Sequence, residues 1–401
     1  MKTVFSPTKD KTTDFSGVTV HPHKTIRCWL SAGLICLALS QLTACSTVGY
    51  YQQSISGHLK ILWQRQHITT LLDNPETPLP LKEKLQQALN IRKFASEQLG
   101  LPDNDSYKSY VELPRKYVVW NITAAPEFSL SPKNWCYPVV GCVSYRGYYA
   151  ESDAYQLAEQ LIKQGLDTHV RGVSAYSTLG WFDDPILSTM INWNQARFSG
   201  VIFHELSHQV LYIKNDVAFN EAFALATEKI AVIVWLAKNK PDSIANYLES
   251  LGRSKQFRQL LLNTRMQLET LYATTKTESE KRREKQQIFT ELKSSYQTLK
   301  KAWHGYTGFD FWFSKPINNA RLAASMNYLK NVPAFIALFK ESKGIWPNYY
   351  QAAKNLGDLP TTQREQQIQM LNQQQVSYSE ILALISTNGF KNKHIQHQSG
   401  L

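Results

Sequence analysis

The sequence predicts an α+β fold: a small twisted mixed sheet, a central helix pair, and a large helical C-terminal part. Three observations point there. Short β-branched and aromatic segments at 117–123 and 168–176 are bounded by Pro and Gly, as strands are. Two longer segments, 195–213 and 216–238, follow in tandem and carry apolar residues at helical spacing. A charged stretch over 242–303 keeps a helical period without a strand signal.

Taken in order, residues 1–44 form a leader, 45–240 the core with its N-terminal helices, 241–360 a helical subdomain, and 361–401 a polar tail. Tyr50 to Leu72 reads as an amphipathic helix broken near Pro75 and Pro78. Leu81 to Leu99 reads as a second helix, stopped by Gly100 and Pro102. After the strand 117–123, residues 128–148 are expected as loop and strand around a cysteine pair. Asp153 to Gln164 is a helix ended by Gly165, and 168–176 a further strand. The central pair runs Gln195 to Ile213 and Asp216 to Lys238, with Asp216 suited to cap the second helix. Asp242 to Trp303 is expected as a long helical hairpin, whose charge run from Lys276 to Lys285 is read as a solvated face. Shorter helices at 322–329, 332–342 and 347–356 close the core, and the Gln- and Asn-rich end is expected to fray.

The central pair carries the chemistry. Residues 204–208 read His-Glu-Leu-Ser-His and residues 220–224 read Asn-Glu-Ala-Phe-Ala. Positions i and i+4 share a helix face, so His204 and His208 can offer one nitrogen each to one ion. Glu221 is placed to be the third ligand, and Glu228, two turns further on, to orient a ligand histidine from behind. Glu205, offset by about 100° on its turn, misses the ion but can reach a water that the ion activates. Zinc suits a mixed His/carboxylate set with an open fourth position. It lowers the pKa of bound water to about 7, and Glu205 as general base then takes a proton as that water attacks a peptide carbonyl.

The Asn-Glu-Ala-Phe-Ala run resembles the third-ligand segment of gluzincin aminopeptidases, which also carry a Glu seven residues after the ligand, as Glu221 and Glu228 do here. One departure is plain: twelve residues separate His208 from Glu221, against eighteen in those enzymes. Over most of residues 45 to 355 the chain is more similar to the putative aminopeptidase family of Gram-negative lipoproteins. The matching stretches are Gly49-Tyr50-Tyr51-Gln52 with Ser56-Gly57-His58-Leu59-Lys60, Ile91-Arg92-Lys93-Phe94-Ala95, residues 140–148, 175–182 and 184–189, the metal segments, and Asn318-Asn319-Ala320. The resemblance implies a zincin-like fold with an active-site helix pair and aminopeptidase activity. In zincins the edge strand before the active helix pairs with extended substrate, which would put residues 175–178 at the cleft. Tyr176 is then the candidate donor to the oxyanion, with Tyr145 and Tyr328 as rivals.

The N-terminus supplies an address. Lys24 and Arg27 precede an apolar run from Cys28 to Leu39, the length of a signal peptide and too short to span a bilayer. Leu42-Thr43-Ala44-Cys45 resembles a lipobox, which implies cleavage before Cys45, a lipid on its thiol and a periplasmic lipoprotein; an ordinary secretory signal or an uncleaved anchor are the alternatives. Ser46 favours the outer membrane. Cys136 and Cys142, six apart on a Pro/Gly loop, are expected to form a disulfide in an oxidising compartment, with a thiol metal site as the rival. Removing residues 1–44 takes five Lys/Arg and two Asp/Glu from 44 and 32, leaving 39 against 30, a net +9 that favours anionic surfaces such as lipid headgroups. Nucleic acid is not an expected partner in this compartment. Oligomeric state is not legible.

Two functions follow as expectations. One is a zinc peptidase of the cell envelope. Amino-terminal specificity needs an acid to grip the substrate amine; Asp183, Asp184 and Glu151 are candidates that nothing in the sequence separates, so endopeptidase stands beside aminopeptidase. The other is a lipid-anchored binding or assembly factor with a non-catalytic metal. Glu205 favours the enzyme, because a structural site needs only its ligands.

Overall fold

The computed structural model describes residues 48–137, 141–175, 178, 181–326 and 330–387. The chain divides into two units, residues 1–55 and 56–401. In the first, the described residues 48–55 are helical, and the signal segment and Cys45 lie outside the described residues.

The second unit is α+β, with helices dominant and strands short. Residues 56–63 (α1) are helical, and the predicted helix to Leu72 is interrupted after them. Gln66–His67 (β1) pairs with Ser109–Val111 (β2), and the Ile68 N–H donates to the Lys108 carbonyl at 3.0 Å. The chain is pulled into a ladder there before helix resumes at Ile68–Asp73 (α2). Leu79–Leu99 (α3) ends as expected at Gly100, which takes a left-handed φ of 66° that suits glycine.

The principal sheet is antiparallel. Val119–Pro126 (β3) lies between Arg146–Tyr148 (β6) and Leu166–Val173 (β7), with β7 paired along its whole length from Val119↔Val173 to Pro126↔Leu166. Trp135–Tyr137 (β4) and Gly141–Val143 (β5) form a hairpin. The mixed pairing sits in the smaller sheet, where β2 runs antiparallel to β1 and parallel to Ile186–Leu187 (β8). Glu151–Lys163 (α4) covers the principal sheet, and Ser188–Ile191 (α5) leads toward the central helices Gln195–Val210 (α6) and Val217–Asn239 (α7).

Ile244–Tyr272 (α8) and Glu278–Ala302 (α9) make the predicted hairpin, opened by a capping box between Thr277 and Glu280. One residue corrects the reading of its charge run. Lys285 is buried, donating to Asp167 at 3.0 Å and to the Glu127 carbonyl at 2.8 Å, and so ties the hairpin to the ends of β7 and β3. After Asp310–Phe313 (α10), Asn319–Met326 (α11) makes a parallel tie: the Asn319 side chain donates to the carbonyls of Pro126, Glu127 and Ser129, and accepts from the Tyr272 hydroxyl. The Asn318-Asn319 pair that contributed to the family resemblance is thus a structural bracket.

The core is built on α6 and α7. Phe198, Ile202, Phe203 and Leu206 from the first meet Phe219, Phe223, Ile230 and Ile233 from the second, together with Val332–Glu341 (α12) and Trp346–Asp358 (α13). A second cluster around Phe257, Phe289, Tyr296 and Trp303 holds the hairpin together. The expected frayed tail is instead partly ordered. Thr361–Gln373 (α14) and Tyr378–Thr387 (α15) bury Ile368, Leu371, Ile381 and Ile385 in the main core. Sparse apolar residues at helical spacing suffice for that, although the composition is polar.

Candidate metal centre

α6 begins at Asn194, whose side chain accepts from the Arg197 N–H, and buries one apolar face, leaving His204 and His208 one turn apart on another. It stops at Val210, three residues before the predicted end, because Leu211 turns to extended backbone. The turn that follows is short and strongly determined. Asn215 adopts a left-handed φ of 64°. Asp216 caps α7 by accepting from the Phe219 N–H at 3.0 Å, and is itself held by Arg364 at 3.0 Å. Buried Asn220 closes the loop twice: its Oδ1 accepts from the Ile213 N–H at 2.7 Å and its Nδ2 donates to the Ile213 carbonyl at 2.8 Å. Glu221 follows at once on the same helical turn.

These devices bring the three predicted ligands together. His204 Nε2 lies 3.2 Å from His208 Nε2, Glu221 Oε2 lies 3.5 Å from His204 Nε2, and Glu221 Oε1 lies 3.6 Å from His208 Nε2. Donors about 2.1 Å from a common tetrahedral ion stand about 3.4 Å apart, and these separations are of that size, with a different Glu221 oxygen facing each histidine. His204, His208 and Glu221 therefore form a group able to hold a metal ion. The turn and the helix packing hold the three side chains toward one another.

Glu228 stands behind the ligands, as its position on α7 predicts, with Oε2 3.2 Å from His204 Nδ1. The contact is close but not aligned as a hydrogen bond. Gly200, one turn before His204, makes room for it: a Cβ there would meet Glu228 Oε1 at 3.2 Å and Cγ at 3.3 Å. Glu205 is half-buried on α6 and close enough for its charge to act on His204.

Electrostatics distinguish the two histidines. Burial pushes His204 down, but Glu221 and Glu228, with Glu205 adding, overcome it and lift His204 to about 10. Burial lowers His208 to about 4, reinforced by the charge on His204 and opposed by Glu221. For Glu221, burial raises the carboxyl, but the histidines outweigh it and hold it below its ordinary value. Side-chain exposures of 14% for His204, 30% for Glu221 and 24% for Glu228 leave the group in a recess that solvent still enters.

Other predicted residues fare differently. Tyr176 and Tyr328 lie outside the described residues; Tyr145 is exposed beside β6. The predicted strand 168–176 ends at Val173, and β8 and α5 intervene before α6, so residues 174 and 175 are loop. β7 is nevertheless an edge of its sheet. Asp184 is buried and its carboxylate accepts the Thr178 N–H at 2.9 Å, which commits it to its own loop. Asp183 and Glu151 are exposed. Cys136 and Cys142 face each other across the β4–β5 hairpin and are disulfide-bonded, which removes the rival thiol site. Asn220 and Gly200 were not anticipated from sequence; the asparagine directly preceding a ligand glutamate was the available signal.

Fold and site together define a protein with a His-His-Glu group able to hold a cation on two consecutive helices of an α+β core. The model of the Putative aminopeptidase family matches residues 49–368, and the chain belongs to that family. Membership supports a peptidase in general terms. No match was found among curated proteins or among solved structures.

Proposed function

We propose that the protein is a zinc-dependent peptide hydrolase of the cell envelope, acting as an aminopeptidase and held at the membrane by a lipid on Cys45. The observation that carries the reading is the gathering of one donor each from His204, His208 and Glu221 within reach of a single ion, with Glu205 close enough for its charge to act on His204.

The residues fit zinc: two imidazoles and one carboxylate are the protein ligand set of a catalytic site whose fourth position is taken by water or substrate. When bound, the ion supplies Lewis acidity that makes water a nucleophile at neutral pH. The chain's own residues do the rest. His208 is held neutral by burial and presents a lone pair. Glu228 acts on His204 through its charge, 3.2 Å from the far nitrogen. Glu205 accepts a proton from the attacking water and delivers it to the leaving amine. Asp184 is a poor candidate for gripping a substrate amine because its carboxylate already serves Thr178. Gram-negative origin and outer-membrane sorting are part of the same proposal, resting on the lipobox-like Leu42-Thr43-Ala44-Cys45 and Ser46.

The test uses the soluble chain without residues 1–45, its Glu205→Gln variant, and libraries of free and amino-blocked peptides. The proposal expects bound zinc in both forms and turnover of unblocked peptides by the unaltered chain alone. Equal turnover of blocked peptides makes the protein an endopeptidase. Zinc in both and turnover in neither supports an envelope binding or assembly factor.

A further inference from the structure

The two most exposed large apolar side chains among the described residues are tryptophans. Trp63, at the end of α1, is 81% exposed, and Trp181, in the loop before β8, is 75% exposed; Phe182 beside it is 46% exposed. Scattered apolar residues on a surface are ordinary, but these are brought together. The Phe182 ring lies 5.0 Å from the His58 ring on α1, and Arg65, just past α1, donates from Nη1 to the Asp183 carbonyl at 2.7 Å. The segment carrying Trp181 and Phe182 is thus fastened to the helix that carries Trp63.

The backbone under these rings is also held. The Phe182 N–H donates to the Thr178 hydroxyl, which donates in turn to the Phe182 carbonyl, both at 3.1 Å, and the Trp181 N–H donates to the Thr178 carbonyl at 3.1 Å. Buried Asp184 accepts from the Thr178 N–H with its carboxylate and from the Tyr107 N–H with its carbonyl. The main chain is therefore set while the indole of Trp181 stands in water. Such an arrangement forgoes the burial of a large apolar side chain unless something covers it.

Charge and chain length point to the cover. Residues 46 to 72 contain no acid but include His58, Lys60, Arg65 and His67, of which Lys60 and His67 are exposed. Indoles flanked by basic side chains suit the headgroup layer of a bilayer, where one edge of the ring is wet and the other apolar. Trp63 is eighteen positions after Cys45, so a lipid on that cysteine keeps it within about 60 Å of the membrane even with the link fully extended. Tethering of that kind lets a weak second contact hold. No helix of the described residues is long and apolar enough to cross a membrane, so the contact suited to them is with its surface. We propose that Trp63, Trp181 and Phe182, with Lys60 and Arg65 flanking Trp63 in sequence, seat the protein on a phospholipid surface bearing anionic headgroups. The seat rests on the envelope location proposed above, but it is tested without the lipid on Cys45, so the two can fail separately.

Co-sedimentation with vesicles tests this. The mature chain from residue 45 carries Cys45→Ser, which prevents attachment of a lipid, and the vesicles contain equal parts of phosphatidylethanolamine and phosphatidylglycerol. The chain is expected to sediment with the vesicles, and its tryptophan emission to shift to the blue as the indoles leave water. Trp63→Ser and Trp181→Ser should each weaken partitioning roughly tenfold or more, the contribution of burying one large apolar side chain. Both side chains are exposed, so both variants should keep the parent's thermal midpoint. Failure of the parent chain to bind vesicles overturns the proposal, as does binding that neither substitution weakens. A parent chain that instead dimerises, and that either substitution turns into a monomer, also overturns it, because the face is then a contact between copies.

Discussion

Asn220 is the residue on which the metal centre's geometry turns, and Asn220→Ala is the most direct way to show it. The side chain is 1% exposed and makes both of its hydrogen bonds to one residue, Ile213, at 2.7 and 2.8 Å. Truncation removes two bonds worth about 1 kcal/mol each and leaves an N–H and a carbonyl short of partners, for a total of about 2–4 kcal/mol. In a chain of this size that is a drop of roughly 2–5 °C in thermal midpoint. Because Glu221 is the next residue, zinc affinity measured against a competing chelator should fall as well. The sharper control is Asn220→Asp. It is nearly isosteric and keeps an acceptor for the Ile213 N–H, yet it turns a second oxygen toward the Ile213 carbonyl. It should therefore be at least as damaging as alanine at neutral pH. An aspartate variant with the parent's midpoint and zinc affinity would refute the argument, since shape alone would then be enough.

Four other outcomes are expected. Glu228→Gln should lower zinc affinity by roughly 10–100-fold with little loss of fold, because it removes the charge behind His204 Nδ1, 3.2 Å away; chelator competition reads it. Zinc binding near pH 7 should release about one proton, since His204, raised to about 10, is protonated in the metal-free protein while His208, lowered to about 4, is not; calorimetry in buffers of different ionisation enthalpy counts it. His169 is lowered to about 4 chiefly by burial, so the unfolded chain takes up its proton first as pH falls. Stability should drop by about 3 kcal/mol between pH 6.5 and 4, and His169→Gln should flatten that part of the denaturation profile. Lys285→Ala strips the partner from Asp167 and should cost about 3–5 kcal/mol, the usual penalty for breaking a buried pair; urea denaturation followed by tryptophan fluorescence measures it.

The metal centre was legible because its determinants are local. His204 and His208 are related by one helical turn, and Glu221 and Glu228 by two, so periodicity alone puts each pair on one face. The helix ends at Gly100 and Asp216 were legible for the same reason. What escaped depends on partners remote in sequence. The interruption at Gln66–His67 requires β2, more than forty residues on. Lys285 looks like one more solvated lysine until Asp167, 118 residues away, is placed beside it. Arg321 reads as an ordinary helix residue, and only packing shows two of its nitrogens sealed off.

Charge alone does not fix the ligands. Protonated His204 attracts Glu221 and Glu228, but the two imidazoles, 3.2 Å apart, cannot both be charged. The geometry therefore needs a backbone constraint as well. Here the constraint comes from parts that carry no ligand atom: Gly200 letting the helices approach, Asn220 closing the turn, Asp216 tied to Arg364, and Thr227 meeting the Tyr349 hydroxyl at 3.1 Å in the core beneath. That arrangement explains how twelve residues between His208 and Glu221 suffice. A long connection needs its own packing to position a ligand, whereas a six-residue turn braced from both ends transmits the orientation of α6 directly to α7. Preorganisation of this sort is what a tight cation site requires, because the ion then meets donors whose ordering has already been enforced by the fold.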